Sequence, residues 1–130
     1  MKKLFISCPM KGRTEENIRK SMEKMHKMAE IVFDQELEVI PSYIEHNPPE
    51  NCQQAVWYLG ESIKKMSEAD YFIGVEYLDM FKGCITESNV ARFYGIRIFE
   101  VDAVDFMPDL RGVIDAYYGA CDESCAPMHC

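Results

Sequence analysis

No apolar run in the 130-residue sequence approaches the roughly 18 residues of a membrane span, so no membrane segment is expected. The opening Met1-Lys2-Lys3-Leu4-Phe5-Ile6 begins like a secretory leader, but Ser7, Pro9, Lys11 and Arg13 break the apolar stretch too early. A cytoplasmic chain is the expectation. Positive charge is scarce: 14 Lys+Arg stand against 22 Asp+Glu, for a net charge of −8. Such a surface repels phosphate backbones, which excludes a nucleic-acid polymer as partner and leaves room only for a small anion held by a locally basic loop. The glycine-rich phosphate loops are missing as well, both G-x4-G-K-[ST] and G-x-G-x-x-G. Among the 3 histidines, His26 and His46 have no partner that the sequence reveals, and no Ser–His–Asp arrangement follows. Internal repeats, low-complexity tracts and linkers are absent.

What is present suffices for one core, with 48% hydrophobic and 28% charged residues. The organisation expected is a single domain over 1–118 and a Cys-rich flexible tail over 119–130. Of the 6 cysteines, Cys8, Cys52 and Cys84 are scattered, while Cys121, Cys125 and Cys130 crowd the end beside His129. A disulfide framework does not fit a cytoplasmic chain. The terminal C-x3-C-x3-H-C has donors that suit zinc, but it has no second half-site to fix their geometry, so no metal and no cofactor is expected.

Hydrophobic periodicity orders the chain. Apolar runs predict strands near 3–8, 37–41, 71–76 and 97–101, the third apolar on both faces as in a central parallel strand. Between them, spacings of three and four predict helices from Glu15 to about Phe33, from Ala55 to about Ser67 and around Thr86–Tyr94, with a last one over Leu110–Tyr118. Met22, Met25 and Met28 belong to the packed stripe of the first helix. Alternation of this kind demands crossover connections, hence an α/β fold: a flavodoxin-like or Rossmann-like open parallel sheet of four strands, with room for a fifth, and helices on both faces. Ligands in such sheets bind beyond the carboxyl ends of the strands.

Two segments at those ends carry candidate chemistry. Ser7-Cys8-Pro9-Met10-Lys11-Gly12-Arg13 is a strand–loop–helix junction whose N–H groups and basic side chains suit a phosphate or a sugar hydroxyl; otherwise it is an ordinary turn with solvated charges. Arg13, with its planar fork, and Lys11 favour a phosphorylated ligand. Gly83-Cys84-Ile85-Thr86-Glu87-Ser88-Asn89 places Glu87 at or near the start of a helix, where N–H groups and a neighbouring hydroxyl of Thr86 or Ser88 would favour the anion. A carboxylate there suits nucleophilic attack at an anomeric carbon; alternatively it serves only the helix dipole. Glu61 and Asp70 are weaker candidates for a second carboxylate, and Asp70 fits a turn or cap.

Leu4-Phe5-Ile6-Ser7-Cys8-Pro9-Met10-Lys11-Gly12 resembles the I-Y-I-A/S-G-P-M-x-G opening of nucleoside 2-deoxyribosyltransferase-like proteins. Ala69-Asp70-Tyr71-Phe72-Ile73 is similar to their A-D-x-x-I strand, and Gly83 to Gly95 to their G-x-x-x-E-x-x-x-A-x-x-x-G segment. The resemblance implies a flavodoxin-like fold in homodimers or larger homo-oligomers. It implies cleavage of an N-glycosidic bond in a nucleoside or nucleoside 5′-monophosphate, as a deoxyribosyltransferase or a nucleotide N-glycohydrolase. Glu87 then matches the nucleophile and the 6–13 loop the sugar or phosphate cradle, with Gly83 and Asn89 beside it. Three positions depart from the pattern: Cys8 stands for the usual Gly, Phe5 for Tyr, and Ser62 for the helix Asp, with Glu61 the neighbouring carboxylate that would protonate the base. The alternatives are a nucleotide- or phosphosugar-binding module without turnover, and a redox- or metal-responsive protein using the terminal Cys/His cluster.

Overall fold

A computed structural model of the chain describes residues 1–119. The elements run β1 (Lys2–Ile6), α1 (Glu15–Val32), β2 (Leu37–Val39), α2 (Gln54–Met66), β3 (Tyr71–Val75), α3 (Lys82–Phe93), β4 (Arg97–Val101), α4 (Ala103–Phe106) and α5 (Leu110–Gly119). All strand pairings are parallel, in the order β2-β1-β3-β4. This is the expected α/β open sheet, flavodoxin-like, with four strands among the described residues.

Local chemistry sets the element ends. Thr14 caps α1 by accepting the Asn17 N–H at 3.1 Å, and Glu15 and Glu16 occupy the first turn, where the helix dipole favours acids. Asp34, at φ 54°, turns the chain from α1 towards β2. Asp102 caps the short α4, a helix that periodicity did not predict. The largest departure is α3. It begins at Lys82 rather than near Thr86, with Phe81 as an N-cap that makes no side-chain hydrogen bond. Ile85 N–H already donates to Phe81 O at 3.1 Å, so the turn read as loop around Gly83 is helical.

Side-chain alternation divides the core between the two faces of the sheet. Leu4, Ile6, Tyr71, Ile73 and Val75 pack with Met25 and Ala29 of α1 and Leu110 of α5. Phe5 and Phe72 pack on the other face with Met66 of α2 and Ala91 of α3. The Phe5 and Phe72 rings stack at 5.6 Å between centroids. Fully buried side chains such as Leu4, Met25, Phe72 and Ile73 each contribute about 1.5–3 kcal/mol of transfer free energy. Gly74 brings α3 close to the sheet: a Cβ there would meet Phe72 Cε1 at 2.7 Å and Ser88 Oγ at 3.1 Å. That Ser88 hydroxyl is buried and has no hydrogen-bond partner among the described residues. No helix of the described residues is long and apolar enough to cross a membrane.

Candidate functional site

Strand order reverses between β1 and β3, and open α/β sheets bind ligands in the crevice at the carboxyl ends on either side of that reversal. A cavity of about 430 Å³ lies there, walled by the loop after β1, by one face of α2 and by the N-terminal half of α3. Its size falls within the range of small-molecule sites, about 300–1,000 Å³.

Glu87 lines this cavity. The Ser7 hydroxyl donates to Glu87 Oε1 at 2.7 Å, while the Ser7 N–H donates to Ile73 O at 2.9 Å. The carboxylate is thereby tied to the sheet edge through a residue whose own backbone continues the β1–β3 ladder. Because α3 starts at Lys82, Glu87 sits in its second turn, beyond the free N–H groups of the first. The expected helix-start stabilisation of the anion is therefore lost. Neither neighbouring hydroxyl supplies it: Thr86 Oγ1 donates to Lys82 O at 2.9 Å, and Ser88 Oγ has no partner among the described residues. Burial pushes the Glu87 carboxyl above the ordinary carboxylate value, opposed by the Ser7 hydrogen bond.

Cys8 and Cys84 also line the cavity. Burial pushes the Cys84 thiol up to about 12, against the lowering effect of a hydrogen bond with Ser7 and together with the charges of Glu87 and Cys8. Burial likewise takes Cys8 to about 11, against the lowering effect of Arg13. Both thiols are thus neutral, weakly polar wall atoms near neutral pH.

The other predicted site residues divide. Met10, Lys11 and Gly83 join Glu87 and Cys8 at the cavity, and Ser7 lies buried behind it. Pro9 and Gly12 do not line it. Gly12, at φ 76°, makes the turn that a Cβ would crowd against Val113, and Pro9 O accepts from Arg13 at 2.9 Å. Arg13 is the clearest correction. Its side chain is fully buried and forks onto Asp109, Nε to Oδ2 at 2.8 Å and Nη2 to Oδ1 at 2.9 Å, with a further bond to Ser21 Oγ at 2.6 Å. The fork that suits phosphate holds a carboxylate of this chain. Glu61 faces away, paired with Lys64 at 2.9 Å, and Ser62 lines the cavity in its place. One residue along a helix is about 100° of rotation, which is why the neighbour does not substitute. Asn89 lines a separate cavity of about 220 Å³ on the other side of α3, where Arg92 is already paired with Glu100.

Sequence reading missed Tyr58 and Lys65 on α2 and Lys82 at the start of α3. Tyr58, Ser62 and Lys65 follow one another at spacings of four and three, so they share a helix face. The resemblance aligned Ser62 with an aspartate of the similar proteins, a departure that nonetheless pointed to that face. Among the described residues no group of three or more His, Cys, Asp or Glu could hold a metal ion. The Cys121, Cys125, His129 and Cys130 cluster lies outside the described residues. No protein-family model, curated protein or solved structure matches the chain.

Two outcomes follow from the geometry. Arg13→Ala leaves Asp109 without its fork and should lower stability by about 3–5 kcal/mol, read as a shift in the urea midpoint. For Glu87, the native carboxyl keeps its proton at pH values where the unfolded chain has released it. Stability therefore falls as pH rises from the ordinary carboxylate value through the raised one, and stays lowered above it. Glu87→Gln should unfold at a higher urea concentration than the wild type at pH 7, and the difference should close as the pH approaches 4.

Proposed function

We propose that the chain cleaves or transfers the N-glycosidic bond of a nucleoside or nucleoside 5′-monophosphate, with Glu87 as the nucleophile. The observation that carries this reading is the Glu87 carboxylate held at 2.7 Å by Ser7 in a cavity at the carboxyl edge of the sheet. The order of the three matching motifs along the chain supports it. In its ionised form Glu87 Oε2 attacks the anomeric carbon and forms a glycosyl ester. The base leaves with the electron pair of the C–N bond and takes up a proton, and water or an acceptor base then releases the sugar. The Ser7 hydroxyl orients the carboxylate, and Ile6, Met80 and Phe81 give the cavity an apolar wall. No cofactor enters this chemistry.

A second reading, a nucleotide-binding module without turnover, is favoured by one observation: among the described residues Glu87 is the only carboxylate lining the cavity. With Glu61 outside the lining, no other carboxyl of the described residues is placed to protonate the departing base. Chromatographic measurement of base release from deoxynucleosides and their 5′-monophosphates separates the two. Glu87→Gln should lose on the order of a thousandfold in base release, with ligand affinity changed far less. Near-wild-type release from this variant would overturn the covalent mechanism. Binding without any release by the wild type would establish the second reading.

A homodimer or larger homo-oligomer belongs to the same proposal. Of the residues of α2 only Met66 is buried, and Val56 on that helix is 63% exposed. Light scattering should give at least twice the chain mass of 15.1 kDa; a monomer at every concentration would remove this part.

A further inference from the structure

A departing base must collect a proton, and with Glu87 the only carboxylate that the described residues bring to the cavity, the donor has to be a group of another kind. The thiols of Cys8 and Cys84 are poor donors, because burial pushes them up to about 11 and about 12. An alkyl hydroxyl such as that of Ser62 is a weaker acid still. Lys11 Nζ lies 5.1 Å from the centre of the Tyr117 ring and Lys65 Nζ donates to Pro41 O at 3.0 Å, so both heads are held elsewhere. Lys82 shares a helix with Glu87. Attack by a carboxylate on one face of the anomeric carbon expels the base from the opposite face, so the donor belongs on the wall across from Glu87.

Tyr58 is on that wall. Its helix α2 follows β2 as α3 follows β3, and the strands are parallel, so the first turns of both helices stand at the carboxyl edge of the sheet. The two helices cover the same face, where Met66 and Ala91 share one core cluster. Tyr58 lies in the second turn of α2, as Glu87 does in α3, whereas Lys65 is about 10.5 Å farther along the α2 axis, away from that edge. The Trp57 ring meets the Tyr58 ring edge-on at 5.1 Å between centroids, and the Tyr58 hydroxyl makes no hydrogen bond among the described residues. We propose that Tyr58 is the general acid of the glycosidic reaction, its Oη–H protonating a ring nitrogen or carbonyl oxygen of the base as the C–N bond breaks. The proposal rests on the glycosidic reading above for the position of the anomeric carbon. The base receives the electron pair of the C–N bond and the phenolic proton and leaves neutral, and Tyr58 is left as a phenolate. Water then bonds to the anomeric carbon, returns one proton to Tyr58 and frees Glu87 as a carboxylate; an acceptor base returns its N–H proton in the same way. Phenols suit this task, being protonated at neutral pH and acidic enough to supply a nucleobase anion.

The test compares two kinds of leaving group in the full chain and in Tyr58→Phe, which keeps the ring and removes only the hydroxyl. One is the unmodified base of whichever deoxynucleoside or 5′-monophosphate is cleaved fastest. The other needs no proton to depart: N7-methylguanine, cationic while bonded to the sugar, or nitrouracil, a stable anion, where the site takes pyrimidines. Release is followed by chromatography and corrected for the spontaneous reaction. Tyr58→Phe should release the unmodified base about a hundredfold more slowly and the activated base within about threefold of the wild-type rate, with KM unchanged. Equal slowing of both would overturn the proposal by showing a structural or stacking role, and so would unchanged release of both. A wild-type chain that releases only the activated base would overturn it as well, while leaving Glu87 as the nucleophile. Failure of the glycosidic reading is distinct: the wild type releases no base of either kind from any substrate, and the proposal falls with it.

Discussion

Strand β3 is buried along its whole length, and the geometry of the site follows from covering it. An apolar strand of this kind needs a layer on each face, which α1 and α5 provide on one side and α2 and α3 on the other. The layers leave the carboxyl ends of β1 and β3 open at the point where strand order reverses. Gly74 then decides how closely α3 lies on the sheet, and Ile73 O decides where the Ser7 backbone stands. Glu87 and Ser7 come from elements fixed by the same strand, so their hydrogen bond is a by-product of core packing rather than of a flexible loop.

The electrostatics of the cavity are graded from base to rim. Around Glu87 are two neutral thiols and apolar side chains, a setting in which a carboxylate loses hydration and keeps one strong hydrogen bond. At the rim are ammonium groups whose partners are a carbonyl and an aromatic ring. An acid in such a seat costs stability when ionised, which is the setting in which perturbed carboxyl groups are found at functional sites.

The fold was legible because it depends on periodicity. Four apolar runs and the helical spacings between them fix the α/β class, and the caps Thr14 and Asp102 sharpen two of the boundaries. The start of α3 was not legible: Lys82-Gly83 carries no capping side chain, and Phe81 terminates the loop by packing in the core, which is a tertiary effect. Glu87 was found because it follows the third strand, but its electrostatic setting was misjudged along with the helix start. Arg13 misled for a related reason. A sequence shows that a guanidinium is present, not that an aspartate far along the chain will occupy it. Lys65 and Lys82 were missed because a lysine on a helix surface reads as solvated until a neighbouring element turns that surface into a wall.

The Arg13–Asp109 fork joins positions 96 residues apart, and it links the loop after β1 to the approach to α5. During synthesis the loop emerges early, while its partner emerges near the end of the described chain. Until Asp109 is available, the Arg13 guanidinium has only neutral partners, Pro9 O and Ser21 Oγ, and no counter-charge. The four strands can pair beforehand, since all of them precede Asp109 in the chain, while one face of β3 still waits for α5. A chain truncated before Asp109 would lose this tie, together with the Leu110 side chain that packs against the first face of the sheet.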